Sequence, residues 1–145
     1  MLSQMAQDMK AILQKSYYAQ KLLDADIDKR TEIRLLMEKI TPTLSDMSRG
    51  GSDDDKMCTA LIKLEALDNK ISDDVHNLTD LLVRNRILID SLDSYEQRMI
   101  LSLRYVNFER WDKIARILHL SRSRLMFKHD LTLETLVKSG QNRTL

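Results

Sequence analysis

Positively charged side chains concentrate in one stretch of this sequence. The whole 145-residue chain has a formal net charge of +1, whereas residues 98–128 hold eight basic and two acidic side chains, a local charge of +6. The eight are Arg98, Arg104, Arg110, Lys113, Arg116, Arg122, Arg124 and Lys128. Lysine and arginine bind phosphate oxygens, and arginine also donates paired hydrogen bonds to base edges. The cluster therefore predicts a surface that binds a polyanion, which we interpret as double-stranded DNA.

The predicted DNA-contacting residues are Lys113, Ser121, Arg122, Ser123, Arg124, Met126, Phe127 and Lys128. Arg122 and Ser123 are assigned to base edges, Met126 and Phe127 to thymine methyl groups, and the other four residues to phosphates. Asp130 follows on the same predicted helix and would repel phosphate. Two alternatives therefore stay open: either Met126 or Phe127 belongs to the core, or this face binds protein. Arg104, Arg110 and Arg116 receive no firm assignment, since an isolated arginine on a helix often faces only solvent.

The spacing of apolar residues predicts a bend between two short helices at this cluster. The first helix buries Ile114, Ala115 and Leu118, and the small Ala115 lets a second helix cross closely. Leu120 and Leu125 are placed to fill the angle between the helices. Ser121 is a suitable N-cap for the second helix, and a continuous helix would not explain that cap. We therefore predict a helix-turn-helix in which His119 takes the left-handed turn position that glycine usually occupies.

Further elements are predicted on both sides of the bend. Ser94 and Gln97 form a capping-box pattern that begins a helix ending near Tyr105, followed by a short connection at 107–109. Another helix runs from Trp111 to Leu118, and Trp111 is expected to anchor the small core. After Ser121, one side of the last helix is lined by Leu125, His129, Leu133 and Leu136.

The N-terminal part of the chain has the periodicity of two long amphipathic helices. Steps of four and three residues from Met5 to Ile40, and again from Met57 to Leu92, place apolar residues at most positions. The segment 41–56 between them contains Pro42, Gly50 and Gly51 and is predicted to be a loop. The simplest arrangement is an antiparallel, coiled-coil-like helical hairpin.

The apolar face of this predicted hairpin is wider than one partner helix would cover. The residues outside the two seams include Leu13, Leu22, Leu36, Ile62, Leu81 and Leu88. Two hairpins that pair into a four-helix bundle would cover this face, so the sequence predicts a homodimer. Asn85 falls on the second seam and would fix its register, unless Asn85 and Asp68 lie only at the edge of the seam.

Composition argues against several other classes of protein. Three glycines and one proline in 145 residues indicate a helix-rich fold. Cys58 has no second cysteine to pair with, which suits a reducing cytoplasm. No apolar run is long enough for a membrane helix, and the N-terminus lacks a signal-peptide core. The three histidines lack metal-ligand spacing, so neither a cofactor nor an enzymatic activity is expected.

Residues 93–136 resemble a family of DNA-binding proteins. The pattern consists of Leu103-Arg104-Tyr105, Trp111, Ile114-Ala115, Leu118, Ser121-Arg122-Ser123, His129, Leu133 and Leu136. It is similar to the promoter-binding C-terminal region of sigma factors, and more so to phage-encoded regulators of the ArpU and RinA type. Together with the apolar periodicity, the resemblance implies an all-α protein with a helical hairpin at 1–92 and a small sigma-region-4-like helix-turn-helix domain at 93–137. The polar tail at 138–145 is expected to fray.

The same resemblance implies a function in transcription. A protein of this type would bind promoter DNA in the cytoplasm of a bacterial host and control phage late genes, with host RNA polymerase as a further partner. The competing interpretation is a helical adaptor that binds RNA polymerase or another protein through Phe127 and its neighbours without contacting DNA. The sequence separates these two interpretations only weakly.

Overall fold

A computed structural model describes the backbone of residues 2–46 and 51–143 and the side chains of residues 2–40 and 54–140. Within these ranges the chain forms helices and no strands, so the predicted all-α fold class is confirmed. The five helices are α1 (Gln4–Asp46), α2 (Gly51–Asp90), α3 (Tyr95–Tyr105), α4 (Trp111–Leu118) and α5 (Arg122–Arg143).

The structure matches the predicted boundaries of α3 and α4 and the predicted start of α5. The loop predicted at 41–56 is revised. Helix α1 continues through Pro42 to Asp46, and α2 begins at Gly51. Proline has no N–H to donate to the carbonyl four residues before it, yet the helix continues for four residues beyond Pro42. Residues 47–50 of the predicted loop, with Gly50 among them, lie outside the described residues.

The helices belong to two compact units. The first, which we call the five-helix unit, contains residues 2–18 and 78–143 and therefore parts of all five helices. The second, the helix-pair unit, contains residues 19–46 of α1 and 51–77 of α2. Residues 2–18 and 78–92, predicted as part of the hairpin, are thus grouped with α3, α4 and α5. Helix α5 also runs through residues 138–143 of the segment predicted as a frayed tail, while 144 and 145 lie outside the described residues.

In the helix-pair unit, α1 and α2 run antiparallel, as the predicted hairpin requires. Arg30 forms an ion pair with Asp68 at 3.3 Å, and Asp26 forms one with Lys70. The earlier residue of α1 thus pairs with the later residue of α2. The hydrogen bond from Lys70 lowers the pKa of the Asp26 carboxyl below its ordinary value.

Among residues 19–40 and 54–77, whose side chains the structure describes, few apolar side chains of the helix-pair unit are shielded from solvent. The buried ones are Ala19, Leu23, Ile33 and Ile71. Leu22, Leu36 and Ile62 are exposed, as expected for side chains outside the seam between two helices. This unit therefore presents large apolar side chains on its surface.

The core of the five-helix unit combines residues of all five helices. Its buried members include Leu13 on α1, Ile89 on α2, Ile100 on α3, Ile114 on α4 and Leu133 on α5. The predicted seam of α1 is wrong at its start, because Met5 is 51% exposed while Ala6 and Leu13 are fully buried. In this unit α1 contacts several helices rather than one, so its buried face is rotated from that of a simple pair.

A buried polar network joins α1 and α2 to the end of α3. Asn85 is fully buried, and its Nδ2 donates to the Leu13 carbonyl at 3.1 Å and to Ser16 Oγ at 2.9 Å. Ser16 Oγ donates in turn to the Tyr105 carbonyl at 3.1 Å. The alternative that placed Asn85 at the edge of a seam is therefore wrong for Asn85, whereas Asp68 is exposed.

A second polar contact connects the first turn of α1 to α5. Ser3 Oγ caps α1 by accepting a hydrogen bond from the Ala6 amide at 3.2 Å. The Ser3 amide donates to Glu134 Oε1 at 2.7 Å, and Ser3 Oγ donates to Glu134 Oε2 at 3.0 Å. These bonds lower the pKa of the Glu134 carboxyl, chiefly through the backbone amide.

Candidate nucleic-acid interface

The chain bends between α4 and α5, as the sequence predicts. His119, the C-cap of α4, has φ 54° and ψ 44°, which is the left-handed conformation expected for the turn position. The amide of Leu120 bonds the Ala115 carbonyl at 2.9 Å, and that of His119 bonds the Arg116 carbonyl at 3.3 Å. These two bonds close the end of α4 in the manner of a Schellman motif and redirect the backbone.

Ser121 begins α5 in the predicted capping role. Its hydroxyl accepts a hydrogen bond from the Arg124 amide at 3.2 Å, which satisfies one of the free donors at the helix start. The neighbouring side chains Arg122, Ser123 and Arg124 are all exposed. The first turn of α5 thus presents two arginines and a serine to solvent, beside backbone amides that favour anions.

A small core holds α4 and α5 at this angle. Ile114 and Leu125 are fully buried, Ala115 is nearly so, and Leu118 and Leu120 are half-buried. All five positions therefore contribute to the helix-turn-helix packing that the spacing predicts. Trp111 is half-buried against this core, as expected.

His129 lies at the centre of the packing between α3, α4 and α5. It is fully buried, and its Nε2 lies 2.7 Å from the Tyr105 hydroxyl. The centres of the His129 and Trp111 rings are 4.8 Å apart, and the ring planes are inclined by 75°. Burial raises the pKa of Tyr105, so the hydroxyl stays protonated. Asp130 Oδ1 lies 3.1 Å from His129 Nδ1 and accepts a hydrogen bond from it, which leaves Nε2 to accept one from the Tyr105 hydroxyl. Burial also lowers the pKa of His129, and the hydrogen bond with Asp130 opposes this only in part. The sequence predicts His129 on the core side of α5. In the structure Tyr105 and Asp130 form hydrogen bonds with both ring nitrogens of this buried imidazole.

Three of the predicted DNA-contacting residues are paired with carboxylates. The pairs are Arg122 with Asp112 at 2.7 Å, Lys128 with Glu96 at 2.6 Å and Lys113 with Glu109 at 3.1 Å. The side chains of Arg122 and Asp112 are 62% and 59% exposed, so this pair is solvated and weak. Sequence reasoning missed Glu96 and Asp112 as partners, because pairs that join different helices leave no local signal.

The apolar candidates on α5 differ in exposure. Met126 is half-buried, whereas Phe127 is 64% exposed. Leu131, one helical turn after Phe127, is 51% exposed and was not singled out by its sequence position. Helix α5 therefore presents an apolar pair next to its basic first turn.

Two arginines of the basic stretch have structural contacts. The Arg104 guanidinium lies 4.5 Å from the centre of the Trp111 ring and donates to the Glu109 carbonyl at 3.0 Å. Arg98 stacks on the Tyr95 ring at 4.7 Å and donates to the Asp93 carbonyl. Arg110 and Arg116 are exposed. Of the unassigned arginines, Arg110 and Arg116 are thus the ones that have their side chains directed to solvent.

The described residues offer little for other chemistry. Among them, no three histidine, cysteine or acidic side chains come together as metal ligands would. Cys58 is a free, exposed thiol. In the same ranges, none of the helices combines the length and the hydrophobicity that crossing a bilayer requires.

Comparison with models of known protein families, with curated proteins and with solved structures yields no match to this chain.

Proposed function

We propose that this chain is a sequence-specific DNA-binding regulator of transcription. The observation that carries the proposal is the bend at residues 118–121, which presents the exposed first turn of α5 with Arg122, Ser123 and Arg124. The major groove of DNA is roughly 12 Å wide and admits one α-helix. A helix that enters it by its N-terminal turn brings both side-chain donors and backbone amides to the duplex.

The proposed contacts follow from exposure. Arg122 and Ser123 contact base edges. Arg124, unlike Arg122, has no carboxylate partner among the described contacts, so it can contact a phosphate without first breaking an ion pair. Lys113 and Lys128 reach phosphates by exchanging a carboxylate for a phosphate oxygen. Phe127 is exposed enough to meet thymine methyl groups, whereas the half-buried Met126 is the weaker candidate.

The resemblance to sigma-like phage regulators extends the proposal. It implies that the DNA is a phage promoter, that late genes are controlled, and that host RNA polymerase is a partner in the bacterial cytoplasm. Exposed Leu22, Leu36 and Ile62 in the helix-pair unit support the proposed homodimer, because pairing of two copies would bury them.

The proposal is tested by selecting binding sites from a random duplex pool and titrating the selected duplex at several salt concentrations. Log affinity should fall linearly with log salt, with a slope of about 0.9 per phosphate contact. Arg124→Ala should reduce that slope by about 0.9, since one phosphate contact is lost. Arg34→Ala, which removes an exposed arginine of the helix-pair unit, is the matched control and should leave the slope unchanged. Absence of binding at low salt would refute the proposed function.

The second candidate function is that of a protein-binding adaptor. It is favoured by one observation: Phe127 and Leu131 form an exposed apolar pair on α5. An adaptor would bind purified bacterial RNA polymerase, lose that binding in Phe127→Ser, and show no affinity for duplexes at low salt. Loss of DNA binding in Arg122→Ala with polymerase binding unchanged would instead favour the DNA-binding function.

A further inference from the structure

The contact between Arg122 and Asp112 differs from the other ion pairs of the basic stretch. Lys113 and Lys128 are proposed to bind phosphates, where only charge is needed, but Arg122 is proposed to contact base edges. Asp112 lies in the first turn of α4, and Arg122 is the first residue of α5. Nη1 of Arg122 lies 2.7 Å from Asp112 Oδ1, across the bend.

This geometry leaves the guanidinium able to bind a second group. A guanidinium has five N–H donors in a planar fork, and the described bond to Asp112 uses one nitrogen. Because more than half of the Arg122 side chain is exposed, its remaining donors are accessible. The carboxylate therefore restricts the orientation of the arginine without covering it.

The carboxylate affects phosphates and bases differently. A phosphate carries a full negative charge, so a phosphate that approaches Arg122 is also repelled by Asp112. A base edge is a neutral pattern of donors and acceptors, so it loses much less from the same carboxylate. Specificity is the difference between the affinities for the selected and the unselected sequence. A group that weakens binding to phosphates therefore raises specificity as effectively as one that strengthens binding to the correct bases.

We propose that Asp112 is a positioning residue that directs Arg122 to base edges and keeps it from binding phosphates. This inference rests on the proposed function, because it assigns a role within the DNA-binding surface. It predicts that the removal of a negative charge tightens binding to unselected DNA at the expense of sequence discrimination.

The test compares wild type with Asp112→Asn on two duplexes, one selected from a random pool and one of scrambled sequence. The variant should bind the scrambled duplex about fivefold more tightly, since a weak surface pair no longer competes. The salt slope on that duplex should increase by about 0.9, because Arg122 gains a phosphate contact. The ratio of the two affinities should fall about fivefold.

Two further variants make the result specific. Asp90→Asn removes an exposed carboxylate of α2 and should change neither the slope nor the ratio. In an Arg122→Ala background, Asp112→Asn should tighten binding to the scrambled duplex much less and should leave the salt slope unchanged, since no arginine is released to bind a phosphate. The inference would be overturned if Asp112→Asn raised the affinity for both duplexes equally or left the salt slope unchanged. It would also be overturned if Asp112→Asn raised the affinity for the scrambled duplex by the same factor in the Arg122→Ala background. Failure of the wild type to bind either duplex at low salt would refute the proposed function itself.

Discussion

Replacement of Asn85 by alanine should destabilise the five-helix unit strongly for a single polar residue. Asn85 is fully buried, and its Nδ2 bonds the Leu13 carbonyl and Ser16 Oγ at 3.1 and 2.9 Å. Two lost hydrogen bonds cost about 1–3 kcal/mol in total. The cavity left by the amide adds about 1 kcal/mol, and the better helix propensity of alanine returns about half of that. We expect the free energy of unfolding to fall by about 1.5–3.5 kcal/mol.

Urea denaturation followed by Trp111 fluorescence measures this change, because Trp111 is the only tryptophan and lies in the five-helix unit. Asn77→Ala is the matched control, since Asn77 is an exposed asparagine on the same helix, α2. It should change the free energy of unfolding by no more than about 0.5 kcal/mol.

Asn85→Asp separates the hydrogen bonds from the packing. Aspartate has the size of asparagine but lacks the Nδ2 donors, and it would place a carboxylate against the Leu13 carbonyl oxygen. We therefore expect Asn85→Asp to be more destabilising than Asn85→Ala, by about 1–2 kcal/mol. If Asn85→Ala is as stable as Asn77→Ala, or if the aspartate variant is the milder of the two, the network does not stabilise the unit as argued.

Three further results are expected. His119→Gly should raise the free energy of unfolding by about 0.5–1 kcal/mol in urea melts, because glycine adopts φ 54° without strain and the exposed imidazole gives up little packing; a loss would contradict this. Burial lowers the pKa of His129, so below about pH 6.5 the unfolded chain binds a proton more readily than the folded one. The free energy of unfolding should therefore decrease from pH 7 to pH 5, by at most about 1.4 kcal/mol per pH unit. His129→Gln should remove this dependence, and an unchanged profile would assign it to other groups. Light scattering at micromolar concentration should give the mass of two chains, and a mass near 16.9 kDa would exclude the proposed homodimer.

The features predicted correctly from the sequence are those with local causes. The caps at Ser94 and Ser121 depend on residues three positions away, and both bonds are present. The left-handed turn at His119 lies just before the Ser121 cap, and its amide bonds the carbonyls of Ala115 and Arg116, four and three positions earlier. Each of these depends on interactions within about one helical turn, which the order of residues specifies directly.

The features missed are those that depend on how helices meet. The pairing of Arg122 with Asp112 joins residues ten positions apart on two helices, and that of Lys128 with Glu96 spans thirty-two. The position of Arg104 over Trp111 could not be distinguished from a solvated arginine by charge alone. Asn85 was placed on a seam by periodicity, but its acceptors on α1 and α3 are defined only by the tertiary packing.

The hydrogen bonds between Ser3 and Glu134 have a consequence for synthesis of the chain on the ribosome. The partner of the first turn of α1 is separated from it by 131 positions, so this turn emerges long before the carboxylate that completes it. The five-helix unit can therefore reach its final packing only after Glu134 has been translated. Messages truncated before codon 134 should yield a nascent product that proteases cleave readily near its amino terminus.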